Sequence, residues 1–326
     1  MMRLFSNVLY VVGPDDAAPA LARAISLMRE EGATLTLVSV VETMVSGSPS
    51  GTFHDELAEA FNALRHKRLD HLKLVAAGVP DGIETVCEVM DGRAYMEIIK
   101  RVQLYRHDLV VATVSEDGSP ANRLFVSEDM QLLRKCPCPL LLLKRASVGA
   151  FASVMAAVDF DHADLLNTEE AGHHLNDDIV DLAVVIADQD KSDLHIANVF
   201  TVPGEGAMIA GWIPMAPENL SDYAGRCEAA ASEMLDQLVQ ASETRLDLDL
   251  FASNRIKTHI VKGRARAEIP ALADTLGTDL IVMGTIGRVG IPGFLIGNTA
   301  ETILGAIDCS VLALKPDGFE SPVSPG

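Results

Sequence analysis

The sequence predicts an α/β protein built from two copies of a doubly wound, five-stranded parallel-sheet domain. Three observations predict it. Short apolar runs alternate with amphipathic helical stretches along the whole chain of 326 residues, and that alternation implies strands and helices in turn. The runs are apolar on both faces, as parallel strands covered on both sides must be. The pattern also restarts near residue 150: a shift of 171 lays residues 90–144 on 261–315 without a gap. A repeat of that length means two copies of one domain. We expect the domains to span 1–148 and 149–326.

The elements follow in order. Residues 7–12 (NVLYVV) form a strand that ends at Gly13-Pro14, and a helix follows over about 17–31 before Gly32. Residues 34–41 are a strand, 46–52 (SGSPSGT) a loop, and 54–77 a long amphipathic helix. A strand at 85–90, a helix at 94–105, a strand at 108–114, a helix at 127–134 and a strand at 139–144 complete the first copy. In the second copy, strands fall at 153–158, 194–200, 256–261, 280–283 and 311–314. Helices fall at 175–188, 220–244, 265–276 and from Asn298 onward. Asn is a good N-cap, and Glu301 stands three residues on, as a capping box would have it.

The overlay separates what the frame requires from what one copy adds. Gly92-Arg93-Ala94 meets Gly263-Arg264-Ala265, Asp108-Leu109 meets Asp279-Leu280, and Cys138 meets Cys309. The loop after the fourth strand differs. Gly284, Gly287 and Gly297 lie opposite Thr113, Glu116 and Val126, and Asn298 lies opposite Ser127. Aligned first strands put Asp159 opposite Gly13. A strand, a glycine loop and a helix start can cradle an anion, because backbone N–H groups point outward and no Cβ blocks approach. Only the second copy has those glycines. The first copy is read as degenerate, since Glu116-Asp117 would repel phosphate.

Charge sharpens this contrast. The net charge is −20 and the sequence pI about 4.7, which disfavours nucleic acid and anionic membrane as partners. The first 148 residues carry a net −3 and the remainder −17. Yet Arg255, Lys257, Lys262, Arg264, Arg266 and Arg288 cluster within 255–288, either as a basic patch for an anion or as ordinary surface charge. No apolar run approaches a membrane span, and no secretory signal pattern opens the chain. Five cysteines, an odd and sparse set, read as reduced thiols in a cytoplasm.

The spacing Gly284-x2-Gly287-x9-Gly297 plus a small polar residue resembles the nucleotide loop of the universal stress protein family. The phrases GNTAETIL and LLRKCPCPLLLLK are similar to its tandem, E-type members. The resemblance implies a Rossmann-like fold of the adenine nucleotide alpha hydrolase type, and an ATP or AMP ligand, with Mg2+ as companion ion. It implies that Asp159 approaches adenine and ribose and that Val199 offers backbone groups to adenine. Gly284 and Gly287 would line the phosphate path, and Gly297, Asn298 and Thr299 would hold phosphate, with Arg264 and Arg288 as auxiliary contacts. ATP-binding members have Ser or Thr directly after the last glycine, where this chain has Asn298.

Other motifs point nowhere sharper. There is no P-loop and no nucleophile–base pair, so no enzyme is expected beyond slow hydrolysis of a bound nucleotide. His162, His173 and His174 among Asp161, Asp164 and Asp177 read as an acidic loop, and no metal site is expected. Residues 202–217 (VPGEGAMIAGWIPMAP) are apolar yet rich in glycine and proline. They suit a lid, a dimer contact or packing between copies. Three functions therefore stay open: a nucleotide-binding stress module, a carrier or sensor of a lipid-like ligand, and a ligand-free scaffold. The two copies are expected to pair as a pseudo-dimer within one chain, and the whole chain can form a homodimer.

Overall fold

A computed structural model describes residues 5–13, 18–29, 31–42, 53–114, 127–144, 149–160, 173–286 and 297–325. These residues fall into two compact units. The first unit contains β1 (Asn7–Val11), α1 (Ala18–Ser26), β2 (Thr34–Val41), α2 (Phe53–Ala76) and β3 (Glu84–Asp91). It continues through α3 (Ala94–Tyr105), β4 (Leu109–Thr113), α4 (Ser127–Lys135) and β5 (Leu140–Leu143). The second unit contains β6 (Ser153–Val158), α5 (His173–Asp190), β7 (Asp193–Phe200), α6 (Glu205–Ile209), α7 (Pro217–Leu246) and α8 (Asp249–Ala252). It ends with β8 (Ile256–Lys262), α9 (Ala265–Leu276), β9 (Leu280–Gly284) and α10 (Asn298–Leu304). The last strand, β10 (Ser310–Leu314), groups with the first unit.

The α/β class and the mostly parallel sheet are as the sequence implies. In the first unit the strand order is β3-β2-β1-β4-β5-β10, and in the second it is β9-β6-β7-β8. β10 differs from the sequence division, which gave it to the second copy. It runs antiparallel to β5, with Val311 opposite Leu142 and Ala313 opposite Leu140. Both strands are apolar and wholly buried. A bare apolar strand edge gains by pairing, and β5 offers such an edge to β10.

The strand registers match position for position. Val8 pairs with Leu35 and Leu109 as Val154 pairs with Leu194 and Leu280, and Leu35 meets Thr85 as Leu194 meets Ile256. The residues shared by the copies have structural jobs. The Asp108 carboxylate accepts from the Ser6 and Asn7 N–H groups at 2.8 and 2.9 Å. Its counterpart Asp279 accepts from Ala152 and Ser153 at 2.7 and 3.1 Å. Each thus ties the start of the central strand to the start of its neighbour. Gly92 and Gly263 leave room for a glutamate that folds back over the turn. A Cβ on Gly263 would stand 2.5 Å from Glu268, and one on Gly92 would stand 3.0 Å from Glu97.

Candidate functional site

In the second unit β6 is central. The chain leaves β6 toward β7 and β8, then returns to place β9 on the other side of β6. The carboxyl ends of β6 and β9 therefore flank the topological switch point, where open α/β sheets bind ligands. Asp159 lies at the end of β6, exposed. Its backbone is fixed by Asn176, whose Nδ2 donates to the Asp159 carbonyl at 2.8 Å and whose Oδ1 accepts from the Asp159 N–H at 3.3 Å. Asn198 adds a third tie, donating from Nδ2 to the Val158 carbonyl at 3.1 Å. Both asparagines are buried. Sequence reading missed them, although a lone Asn inside an apolar run such as LHIANVF was a visible signal.

Val199 is half-buried near the end of β7. On the β9 side Gly284 is half-buried and Thr285 fully buried. A Cβ on Gly284 would meet Leu175 Cδ2 of α5 at 2.9 Å, with Ile179 just beyond. The first copy holds Thr113 here. Gly284 thus has a packing reason, accommodation of Leu175, independent of any phosphate. Gly297 is different. Among the described residues its added Cβ would find only the Thr285 carbonyl, at 3.8 Å, and its φ of −58° is ordinary. Its N–H donates to the Thr285 carbonyl at 3.0 Å. This bond brings the start of α10 back to the end of β9.

Two expectations at this helix need correction. Gly297, not Asn298, is the N-cap of α10, and no side chain caps it. Asn298 is already the first helical residue, so Glu301 falls one position too late for a capping box. Both Asn298 and Thr299 are exposed. Gly287, Arg288 and the first copy's Glu116-Asp117 lie outside the described residues.

The cation cluster is largely spoken for. Lys257 pairs with Asp193 at 2.9 Å, Lys262 with Glu205 at 2.5 Å, and Arg255 with Asp188 at 3.9 Å and the Ser192 carbonyl at 3.0 Å. Arg264, the N-cap of α9, and Arg266 stand exposed. Among the described residues, no group of three or more His, Cys, Asp or Glu is set to hold a metal. His162, Asp161 and Asp164 are outside them, and Asp177 is engaged by Arg245 at 3.0 Å.

Another residue pair escaped sequence reading. His195 on β7 and His259 on β8 meet head-on, Nδ1 to Nε2, at 2.9 Å. Burial, and for His195 the charge of His259, lower both imidazoles from their ordinary range. Their frame counterparts are Thr36 and Glu88, so the fold does not demand the pair. The spacing of 64 residues hides it until strand register is known. The apolar stretch after β7 is also clearer. It forms the short helix α6, which Lys262 holds through Glu205. It leaves Ile209 71% and Trp212 83% exposed, with Ile213 and Met215 also exposed. Among the described residues no helix is long and apolar enough to cross a membrane.

Comparison with known proteins agrees in extent. The model of the universal stress protein family matches residues 4–144 and 172–315. Universal stress protein E of Photorhabdus laumondii subsp. laumondii is 29% identical, the alignment covering 99% of this chain and 98% of that protein. Universal stress protein E of Escherichia coli strain K12 is 28% identical over the same shares. Among solved structures, a universal stress protein from Archaeoglobus fulgidus superposes with a TM-score of 0.59. It is 16% identical, with 95% of this chain and 98% of that one covered, and shows the likeness of fold alone.

Proposed function

Given that the chain belongs to the universal stress protein family, we propose that its second copy holds an adenine nucleotide, ATP or AMP, at the switch point between β6 and β9. The observation that carries this reading is the Gly297 N–H bond to the Thr285 carbonyl. It brings Gly297, at the start of α10, to the carboxyl end of β9, which flanks the switch point with the end of β6 that carries Asp159. Gly297 carries no Cβ, and among the described residues an added one would meet the Thr285 carbonyl at an ordinary 3.8 Å, so a phosphate can come close to this turn. Asp159, held by Asn176, is the candidate for the adenosine side together with Val199. Asn298 and Thr299 are the candidates for phosphate, since an amide N–H and a hydroxyl can each donate to an anion. Gly287 and Arg288 would complete the loop, Arg264 would assist, and Mg2+ would accompany ATP. The role is binding rather than turnover, in a cytoplasmic protein that presents its liganded state to a partner or to a second copy of itself. The repeats are 1–148 and 149–326, and the second alone takes the ligand.

The test uses one substitution that the backbone accepts. Gly297→Glu fits the observed φ, and its Cβ makes only ordinary contact with the Thr285 carbonyl among the described residues, so it should fold normally and repel phosphate. Titration calorimetry should show ATP or AMP binding to the wild type and none to Gly297→Glu. Asn298→Ser, which restores the residue found in ATP-binding relatives, should tighten binding. Absence of binding to wild type and Asn298→Ser alike would refute the reading.

A second reading rests on the exposure of Ile209 and Trp212. An apolar, solvent-facing segment beside a ligand crevice suits a lipid-like ligand or a partner protein. Native mass spectrometry of freshly purified protein should then carry an extra lipid-like mass, which Trp212→Ala removes.

A further inference from the structure

The copies differ at one more buried place, in the first unit. α4 ends at Lys135, and the chain bends at Pro137 and Cys138 before entering β5. The bend brings the Cys136 and Cys138 sulfurs to 3.7 Å. Both are free thiols, 1% and 9% exposed. In the second copy Cys138 has a cysteine counterpart, Cys309, whereas Cys136 is matched by Ile307, also buried. The frame thus asks only for an apolar residue at position 136, and this chain has placed a second thiol there. A half-buried lysine, Lys315, follows β10. Its ammonium donates to the Leu133 carbonyl in the last turn of α4 and lies over the Phe319 ring at 5.2 Å.

We propose that Cys136 and Cys138 are a peroxide-oxidisable dithiol, with Cys136 the attacking sulfur, Cys138 the resolving one and Lys315 the cation that favours the Cys136 thiolate. The two thiols share one S–H···S contact in which either can donate; that contact lowers the Cys136 thiol despite burial, while it and burial raise Cys138. Burial brings Lys315 down to about 8, opposed by the nearby Cys136. Lys315, bound to the Leu133 carbonyl in the helix end that leads into Cys136, sets its cation on the Cys136 side of the pair, and the thiolate is the nucleophile. Closing the ring must bring the two sulfurs from 3.7 Å to the roughly 2.0 Å of a disulfide bond, across a bend in which Pro137 fixes its own φ.

The chemistry balances with a hydroperoxide as oxidant. The Cys136 thiolate attacks one oxygen of H2O2; an S–O bond forms, the O–O bond breaks, and hydroxide leaves. The hydroxide takes up the proton that Cys136 had lost and becomes water. Cys138 then attacks the sulfenic sulfur; an S–S bond forms, and the hydroxyl departs as a second water with the Cys138 proton. Two thiols and one peroxide thus give one disulfide and two waters.

The full-length reduced protein, treated with H2O2 without denaturant, is then alkylated in denaturant and analysed by intact mass and peptide mapping. We expect two of the five thiols to be lost, a mass lighter by two hydrogens, and a disulfide within the peptide holding residues 136 and 138. Cys138→Ala should instead accumulate a sulfenic acid at Cys136 that dimedone traps. Lys315→Met should slow oxidation at neutral pH by roughly tenfold, the scale expected for a thiolate losing its counter-charge. Cys87→Ser and Cys227→Ser should leave the result unchanged. Full retention of the thiols at 136 and 138, or further oxidation of Cys136 while Cys138 stays reduced, would overturn the proposal.

Discussion

At the residue scale, His107 is the clearest example of a group whose chemistry the fold has altered. It is buried, its Nε2 meets Thr36 Oγ1 at 3.1 Å, and burial with the charge of Arg101 brings it down to about 4. Asp108 opposes that shift. The unfolded chain binds a proton here at an ordinary histidine pKa and the folded chain does not. The stability this site supplies is therefore present above about pH 6.5 and lost as pH falls toward 4, by about 3 kcal/mol. Denaturation between pH 7 and 4 should show that slope, and His107→Gln should flatten it. The second copy has Thr278 at this position, with a buried Oγ1 that finds no partner among the described residues, and places its histidine at 195 instead. Gly284 makes a different point at the same scale. Gly284→Ala should cost about 1–2 kcal/mol through its close contact with Leu175. Leu175→Ala in the same chain should recover part of the loss, measured by denaturant unfolding. The sequence could not reveal this contact, because a glycine opposite a leucine 109 positions earlier looks the same as a glycine opposite a phosphate.

The helix ends show how the same element is completed by different residues. α3 closes on Arg106 and α9 on Gly277, both left-handed, at φ 54° and 58°. Glycine enters that region without a Cβ penalty and arginine does not. Arg106→Gly should therefore stabilise the protein by about 0.5–1 kcal/mol, read from the urea midpoint at unchanged slope. Most elements were legible before the structure because their signals are local. The apolar strands β2 and β6 and the helices α3 and α9 fall where their periodicity puts them. The short helices α6 and α8 were not legible, since four or five residues carry too little periodicity. The cap of α10 was misread for a related reason. Asn is favoured at an N-cap, but the backbone bond from Gly297 to Thr285 starts the helix one residue earlier.

For the molecule as a whole, the repeat was legible and the destination of its last strand was not. Sequence continuity assigns β10 to the second copy, whereas its pairing with β5 assigns it to the first unit. Val311 and Leu312 are fully buried, and Leu312→Ala should cost about 2–5 kcal/mol. Amide hydrogen exchange should show that loss at β5, residues 140–143, and not merely near the substitution. Of the candidate site, only the places of its residues along the chain were legible. Asp159 and Gly297 do flank the switch point, but Asn176 and Asn198, which hold the Asp159 side, needed tertiary structure to find. Both copies share the residues that build the frame, and they differ at Gly297, at the His195–His259 pair and at Cys136, the positions that building the frame leaves free. The central claim is that Gly297 belongs to a nucleotide site. Calorimetric titration of the intact chain with ATP and with AMP tests it most directly. The account predicts one nucleotide bound per chain, lost in Gly297→Glu with thermal stability unchanged. Equal binding by wild type and Gly297→Glu, or none by the wild type, would contradict it.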